Sequence, residues 1–263
     1  MTTPRPEVDV RYFEAYGGDW AAAYQAGTAA GHALRERRRR VLELLEGMEG
    51  DVLDVGCGPG VFADELADRG WRFFGVDRAH IMLEVARREF AASGGTRVAR
   101  ADAPALPFPA SRFDALVCVG VLDRVADQEG AIGEFVRVVR PGGRIVVSFP
   151  NARSPYTLWS STVYRPGVGW LKTMGNRVRG RPTPPNRDSS TLLHTPVSAA
   201  ALLHRAGATV TAVEHFHFDL LLSPLDEAFP SVAATLVRRL ERLRSTPLAW
   251  VGTGFLACAT VDR

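Results

Sequence analysis

Residues Asp51–Gly60, Asp-Val-Leu-Asp-Val-Gly-Cys-Gly-Pro-Gly, carry an apolar strand-like run straight into a turn with glycines at alternate positions. Val61–Ala67 follows with the apolar spacing of an amphipathic helix. A strand, a glycine turn and a helix in this order make the opening unit of an open α/β sheet, and such sheets bind ligands at the carboxyl ends of their strands. Glycine is needed there either for positive φ or because a ligand lies on the main chain. Taken alone, the motif also fits a tight turn with no ligand.

From Val52 onward, strand and helix patterns alternate. Strands are expected at Val52–Val55, Phe73–Val76, Arg97–Arg100, Ala115–Val119, Arg144–Phe149, Thr209–His215 and Phe255–Thr260, with helices near 61–69, 79–92, 128–140 and 196–206 and over Ser231–Arg244. This order predicts a largely parallel sheet with helices on both faces. Gly70 stops the first of these helices, and Pro141-Gly142-Gly143 stops the one ending at Arg140.

Upstream, Leu34–Leu45 reads as a helix with Leu34, Val41, Leu42 and Leu45 on one face, and its arginine run reads as a solvated face. Aromatic residues recur between Tyr12 and Tyr24 around a Gly-Gly break, which packs rings on the sheet or forms a lid over a ligand. The alternation fails between Asn151 and Leu193, where Trp159, Trp170, Tyr156, Tyr164 and several arginines are scattered among Pro and Gly. That length suits a functional cover. The expected organisation is one domain: a helical cap at 1–46, a cofactor half at 47–150, a lid or substrate insertion at 151–195, and a C-terminal half at 196–263.

Composition narrows the function classes. A net charge of +3 over 263 residues provides no concentrated basic stripe, so nucleic acid is not an expected partner. Cys57, Cys118 and Cys258 are odd in number and lie in apolar or glycine-rich runs, as buried thiols of a reducing compartment would. No signal peptide or bilayer-length apolar run is evident, and a cytoplasmic location is expected. No cluster has metal-ligand spacing.

Four features fall at successive strand ends. Asp54 and Gly56-Cys57-Gly58-Pro59-Gly60 follow the first strand. Asp77 ends the second, where an acid accepts from both hydroxyls of a ribose. Asp102-Ala103 follows the third, where it can face an adenine amino group, and Val119-Gly120-Val121-Leu122-Asp123 follows the fourth and floors the pocket. A dinucleotide fingerprint would place its third glycine at Val61; here that glycine is one residue early, a poor pyrophosphate cradle. An adenosine without phosphate fits better.

Leu53–Gly60, Gly75-Val76-Asp77, Ala101–Phe108, Phe113-Asp114-Ala115 and Arg140-Pro141-Gly142-Gly143 resemble the successive motifs of class I S-adenosylmethionine-dependent methyltransferases, strongly over about residues 50 to 150. The resemblance is closest to the branch acting on small molecules such as quinones, tetrapyrroles and polyketide-type products. It implies a Rossmann-like seven-stranded sheet, mostly parallel with the last strand antiparallel, and S-adenosyl-L-methionine as cofactor. It also implies roles for individual residues. Gly56, Cys57, Gly58 and Gly60 lie against the methionine part and Asp54 orients its ammonium. Asp77, flanked by Arg78, binds the ribose; Met82 packs near the adenine with Ile81 and Leu83; Asp102 and Ala103 meet the adenine edge; Val119 closes the pocket. Tyr16, with Tyr12 and Tyr24, closes over the methyl donor.

The family's Glu-His after the fourth strand is replaced by Asp123-Arg124. Methyl transfer from a sulfonium depends chiefly on alignment, with a base needed only where the nucleophile must lose a proton. The base candidates are His194, at the edge of the long insertion, and His215 and His217, which alternate on one strand face; histidine titrates in the useful range. The expected acceptor is a hydrophobic or aromatic small molecule methylated on oxygen, with carbon or nitrogen as the alternative acceptor atom. A nucleotide-dependent oxidoreductase and a non-catalytic cofactor-binding module are the competing classes. A membrane-surface role for the aromatic, arginine-bearing insertion is a further alternative. Oligomeric state is not legible.

Overall fold

The computed structural model describes Tyr24 and residues 29–89, 97–162, 192–218 and 229–262. Tyr12, Tyr16 and most of the 151–195 insertion therefore lie outside the described residues. In chain order the elements are α1 (Ala29–Leu44), β1 (Gly50–Val55), α2 (Ala63–Ala67), β2 (Trp71–Asp77), α3 (His80–Glu89), β3 (Arg97–Arg100) and β4 (Phe113–Cys118). There follow α4 (Gln128–Val138), β5 (Val139–Pro150), α5 (Pro155–Trp159), α6 (Pro196–Arg205), β6 (Ala208–Phe216), α7 (Pro230–Leu240) and β7 (Gly254–Val261).

The strands form one seven-stranded sheet in the order β3-β2-β1-β4-β5-β7-β6. β1 is parallel to β2 and β4, and β7 is antiparallel to both β5 and β6. All seven expected strands are present, and the last one is the antiparallel one. The reversal of strand order between β1 and β4 creates the crevice in which such sheets bind ligands.

Alternation along each strand divides the core in two. Leu53, Leu116, Cys118, Ile145 and Val147 pack with Ile132 and Phe135 of α4 and Leu203 of α6, whereas Val52, Ala115, Val117 and Val146 pack with Val41 and Leu42 of α1, Leu66 of α2 and Leu83 of α3. Adjacent strand residues point to opposite faces, so one apolar run such as Val52-Leu53 feeds both layers. All three cysteines are buried and free, as their apolar setting predicts.

Three expectations need correction. The helix ending at Val138 passes directly into β5 at Val139, so Pro141-Gly142-Gly143 lies inside the strand and not in a terminating turn. The last carbonyls of α4 are taken by Ser111 N–H and Arg112 N–H, which dock the helix end onto the approach to β4. The arginine run is not uniformly solvated, because Arg40 is 1% exposed. Finally, His217 does not share a strand face with His215. β6 ends at Phe216, and His217 takes a φ of 58°, outside extended geometry.

Candidate cofactor site

The turn after β1 is shaped by its neighbours. Gly56, Gly58 and Gly60 have φ of 75°, 52° and 81°, so three alternate residues occupy the left-handed region that favours glycine. Gly56 N–H and Cys57 N–H both donate to the Val76 carbonyl, at 2.7 and 3.0 Å, which pins the turn to β2. A Cβ on Gly56 would fall 2.1 Å from Val121 Cγ2, so Val121, two residues along the loop from Val119, closes the turn from the β4 side. Over Gly58, by contrast, the nearest atom to such a Cβ among the described residues is Met82 Sδ at 4.0 Å, which leaves the backbone approachable beside Met82. The Cys57 thiol is buried under Gly75 and donates to the Gly58 carbonyl at 3.6 Å, and burial pushes its pKa up.

Asp77 ties the second strand end to the first. Its carboxylate accepts from Gly58 N–H at 2.9 Å and from Ala79 N–H at 2.8 Å, joining the turn to the start of α3. A carboxylate offers about four lone-pair directions, so this anchoring is compatible with further hydroxyl donors. Asp102 accepts from Ala103 N–H at 2.9 Å, and its other oxygen lies 3.6 Å from Arg78 Nε, linking the ends of β2 and β3. Ala103 is buried beside Leu106, and Val119 is half-buried against the α1 face.

Beneath the turn, Asp54 is 1% exposed, and its Oδ2 has no hydrogen-bond partner among the described residues. Burial, reinforced by the nearby Asp77 carboxylate, pushes its pKa up to about 8. A buried acid with an unused acceptor favours a cationic or hydrogen-bond-donating partner at this spot. Gly120, which follows β4, has a φ of 74°, and its N–H donates to Ser148 Oγ at 2.7 Å. A Cβ there would come 3.4 Å from Arg37 Nη1, so α1 delivers a guanidinium to the same edge, beside the Phe216 ring at 5.9 Å. Sequence reasoning missed Arg37, which was absorbed into the arginine run; only its contact across 83 positions distinguishes it.

The histidines form a different group. His194, Phe149, Phe255 and His215 make a row of rings with centroid spacings of 5.0, 5.5 and 5.8 Å. His194 Nε2 lies 3.0 Å from Gln128 Oε1, and its Nδ1 lies 3.3 Å from Ser198 Oγ. Burial lowers its pKa, opposed by Asp123; burial and then Arg40 lower that of His215. The cleft of about 480 Å³ that His194 lines with Gln128, Ser198 and Arg205 contains none of the cofactor-motif residues. His215 sits on the edge strand, four strand positions from β1, or roughly 19 Å at ordinary strand spacing. The structure thus brings Asp54, Gly56, Gly58, Asp77 and Met82 together and does not place the histidines with them. Among the described residues no group of three His, Cys, Asp or Glu side chains is arranged to hold a metal.

The chain is similar to known proteins in sequence and in fold. Residues 53–147 match the family model described as a methyltransferase domain. An uncharacterized methyltransferase of Mycobacterium avium is 30% identical over 215 residues, covering 79% of this chain and 78% of the relative. The demethylmenaquinone methyltransferase of Thermus thermophilus is 44% identical over 124 residues, 46% of this chain and 56% of that protein. The chain thus spans about half the length of the first curated relatives it matches. Among solved structures, the magnesium protoporphyrin IX methyltransferase of Synechocystis with bound S-adenosylhomocysteine has the same fold, with a TM-score of 0.59, 18% identity and coverage of 96% of this chain and 97% of that one. The family whose cofactor is S-adenosyl-L-methionine is established by this extended likeness together with the seven-stranded topology: the chain belongs to the class I S-adenosylmethionine-dependent methyltransferases.

Proposed function

We propose that the protein transfers a methyl group from S-adenosyl-L-methionine to a hydrophobic, quinone- or polyketide-like small molecule, with oxygen as the acceptor atom. The observation that carries this reading is the convergence of the open Gly58 backbone, the Asp77 carboxylate and the buried, unpartnered acceptor of Asp54 at one switch point of the sheet. The cofactor supplies an activated methyl on a sulfonium. Asp77 would hold the ribose hydroxyls, Met82 and Ala103 would line the adenine, and Asp102 and its neighbouring amide would meet the adenine edge. Asp54 would answer the ammonium, and Arg37 the carboxylate, of the methionine part.

Because alignment supplies much of the rate in such a displacement, the residues that fix the donor matter more than a base. His194 is the histidine closest to the β4–β5 strand ends, since it bridges to Asn151 just beyond β5, and it is the candidate for any proton transfer. A cytoplasmic setting agrees with three free buried thiols, and no helix among the described residues is long and apolar enough to cross a membrane. The acceptor class is supported by the relative named for demethylmenaquinone. Incubation with S-adenosylmethionine and a panel of hydroxylated naphthoquinones, benzoquinones and polyketide aromatics, read by mass spectrometry, tests it. The expected result is a product heavier by one CH₂ together with S-adenosylhomocysteine. Products methylated only on carbon would overturn oxygen as the acceptor atom, and the absence of product from every member of the panel would overturn the acceptor class.

A further inference from the structure

Arg40 lies one turn beyond Arg37 on α1, yet it is 1% exposed and touches none of the cofactor-motif residues. Its guanidinium donates to the His215 carbonyl at the end of β6 and to Glu241, in the short 3₁₀ turn Glu241–Ser245 after α7. Glu36 and Glu214 lie 3.4 and 3.5 Å from it. Thus one buried cation joins α1, β6 and the segment after α7, elements up to 201 positions apart.

A buried ion cluster is a poor source of stability, because desolvating each charge costs about as much as the pairing returns, and apolar replacements of equal volume often match it. What the cluster does fix is geometry. A planar fork satisfied by a backbone carbonyl and a carboxylate accepts one rotation and one height of the helix that carries it. On a helix, residues three apart lie on neighbouring sides about 4.5 Å along the axis. Arg40 grips the carbonyl of His215 while Arg37 lies over the ring of the next residue, Phe216, and reaches Gly120. The register that satisfies Arg40 is therefore the register that delivers Arg37 to the end of β4.

We propose that Arg40 is a positioning residue for the donor site: together with Glu241 and the His215 carbonyl it sets the register of α1 and, through it, the place of the Arg37 guanidinium against the methionine end of the cofactor. The inference rests on the methyltransferase reading above. Glu241, 201 positions from Arg40 in sequence, thereby controls donor affinity without touching the donor.

Calorimetric titration with two probes tests it: S-adenosylhomocysteine, which carries the amino-acid end, and 5′-methylthioadenosine, which lacks it. Arg40→Lys and Glu241→Gln are each expected to weaken S-adenosylhomocysteine by about tenfold, a change of one hydrogen-bonded charge contact. Methylthioadenosine affinity is expected to stay within about twofold, because the adenosine contacts come from β2 and β3. In Arg37→Gln, which removes the guanidinium being placed, adding Arg40→Lys should produce no further loss. Equal weakening of both probes, or losses that multiply in the double variant, would show general loosening and overturn the proposal. Unchanged affinity for S-adenosylhomocysteine in both single variants would overturn it as well. Should Arg40→Lys fail to fold, the near-isosteric Glu241→Gln decides. Failure of the methyltransferase reading is separate: the unaltered protein would then bind neither probe.

Discussion

At the carboxyl edge of the sheet, the turn after β1 is held by backbone geometry, whereas the junction between α1 and β6 is held by charge. The turn depends on three positive-φ glycines, two amides on one carbonyl and a carboxylate that bonds two further amides. The junction depends on a buried guanidinium among Glu36, Glu214 and Glu241. The hydrogen bonds of the first arrangement are local, drawn from residues 56 to 79, with Val121 added from beyond β4. The second is assembled from distant parts of the chain. Local geometry can be written in a motif; a long-range ion cluster cannot.

That difference accounts for what was legible. The alternation of apolar and turn residues placed all seven strands, and the acids at successive strand ends, Asp54, Asp77 and Asp102, pointed to the candidate site. Arg40 was not recoverable, because its partner Glu241 lies 201 residues later and its neighbour Arg39 is exposed. The departure of His217 from the strand was equally hidden: non-glycine residues with positive φ carry no reliable sequence mark. The row that links His194 to His215 was hidden for a related reason, since Phe149 and Phe255, which connect its ends, meet only through the antiparallel pairing of β5 with β7.

The largest expected effect contrasts two glycines of the turn. Gly56→Ala places a Cβ 2.1 Å from Val121 Cγ2 at a φ of 75°. It should cost about 3 kcal/mol of stability from overlap and strain and abolish cofactor binding. Gly58→Ala, with its nearest neighbour at 4.0 Å, should cost only about 1 kcal/mol from its φ, while still weakening the cofactor. Denaturant midpoints of the two variants check this, and equal losses would remove Val121 as the lock on the turn.

A smaller effect concerns Asp54 and is set by pH. Its folded pKa of about 8 stands above the ordinary value of 3.8, so the native state holds an extra proton between them. Stability linked to that proton is fully present below about 4 and is lost as pH rises through about 8. Asp54→Asn should flatten this slope, gaining relative stability toward pH 8 while weakening the donor. The same proton leads to a second expectation. A ligand bringing an ammonium and a sulfonium favours the ionised acid, so binding at pH 7 should release a proton. Calorimetry in two buffers of different ionisation heat would detect the release, and it should vanish in Asp54→Asn.

His194→Ala is expected to have the smallest effect at the donor: less than about twofold on S-adenosylhomocysteine affinity, since independent sites add with little coupling. Its turnover should fall by under about tenfold, below the range of a committed general base. A drop of a thousandfold, with loss of the acidic limb of the pH profile, would instead put the histidine row in direct contact with the acceptor.

The most direct measurement is the affinity of S-adenosylhomocysteine for the unaltered protein and for Asp77→Ala. That substitution removes the acceptor of Gly58 N–H and Ala79 N–H along with the proposed ribose contact. Micromolar binding that weakens by about 10- to 100-fold is the predicted result, as expected for losing a charge-assisted hydrogen-bond acceptor. Binding that Asp77→Ala leaves unchanged would contradict the assignment of the donor to the turn after β1.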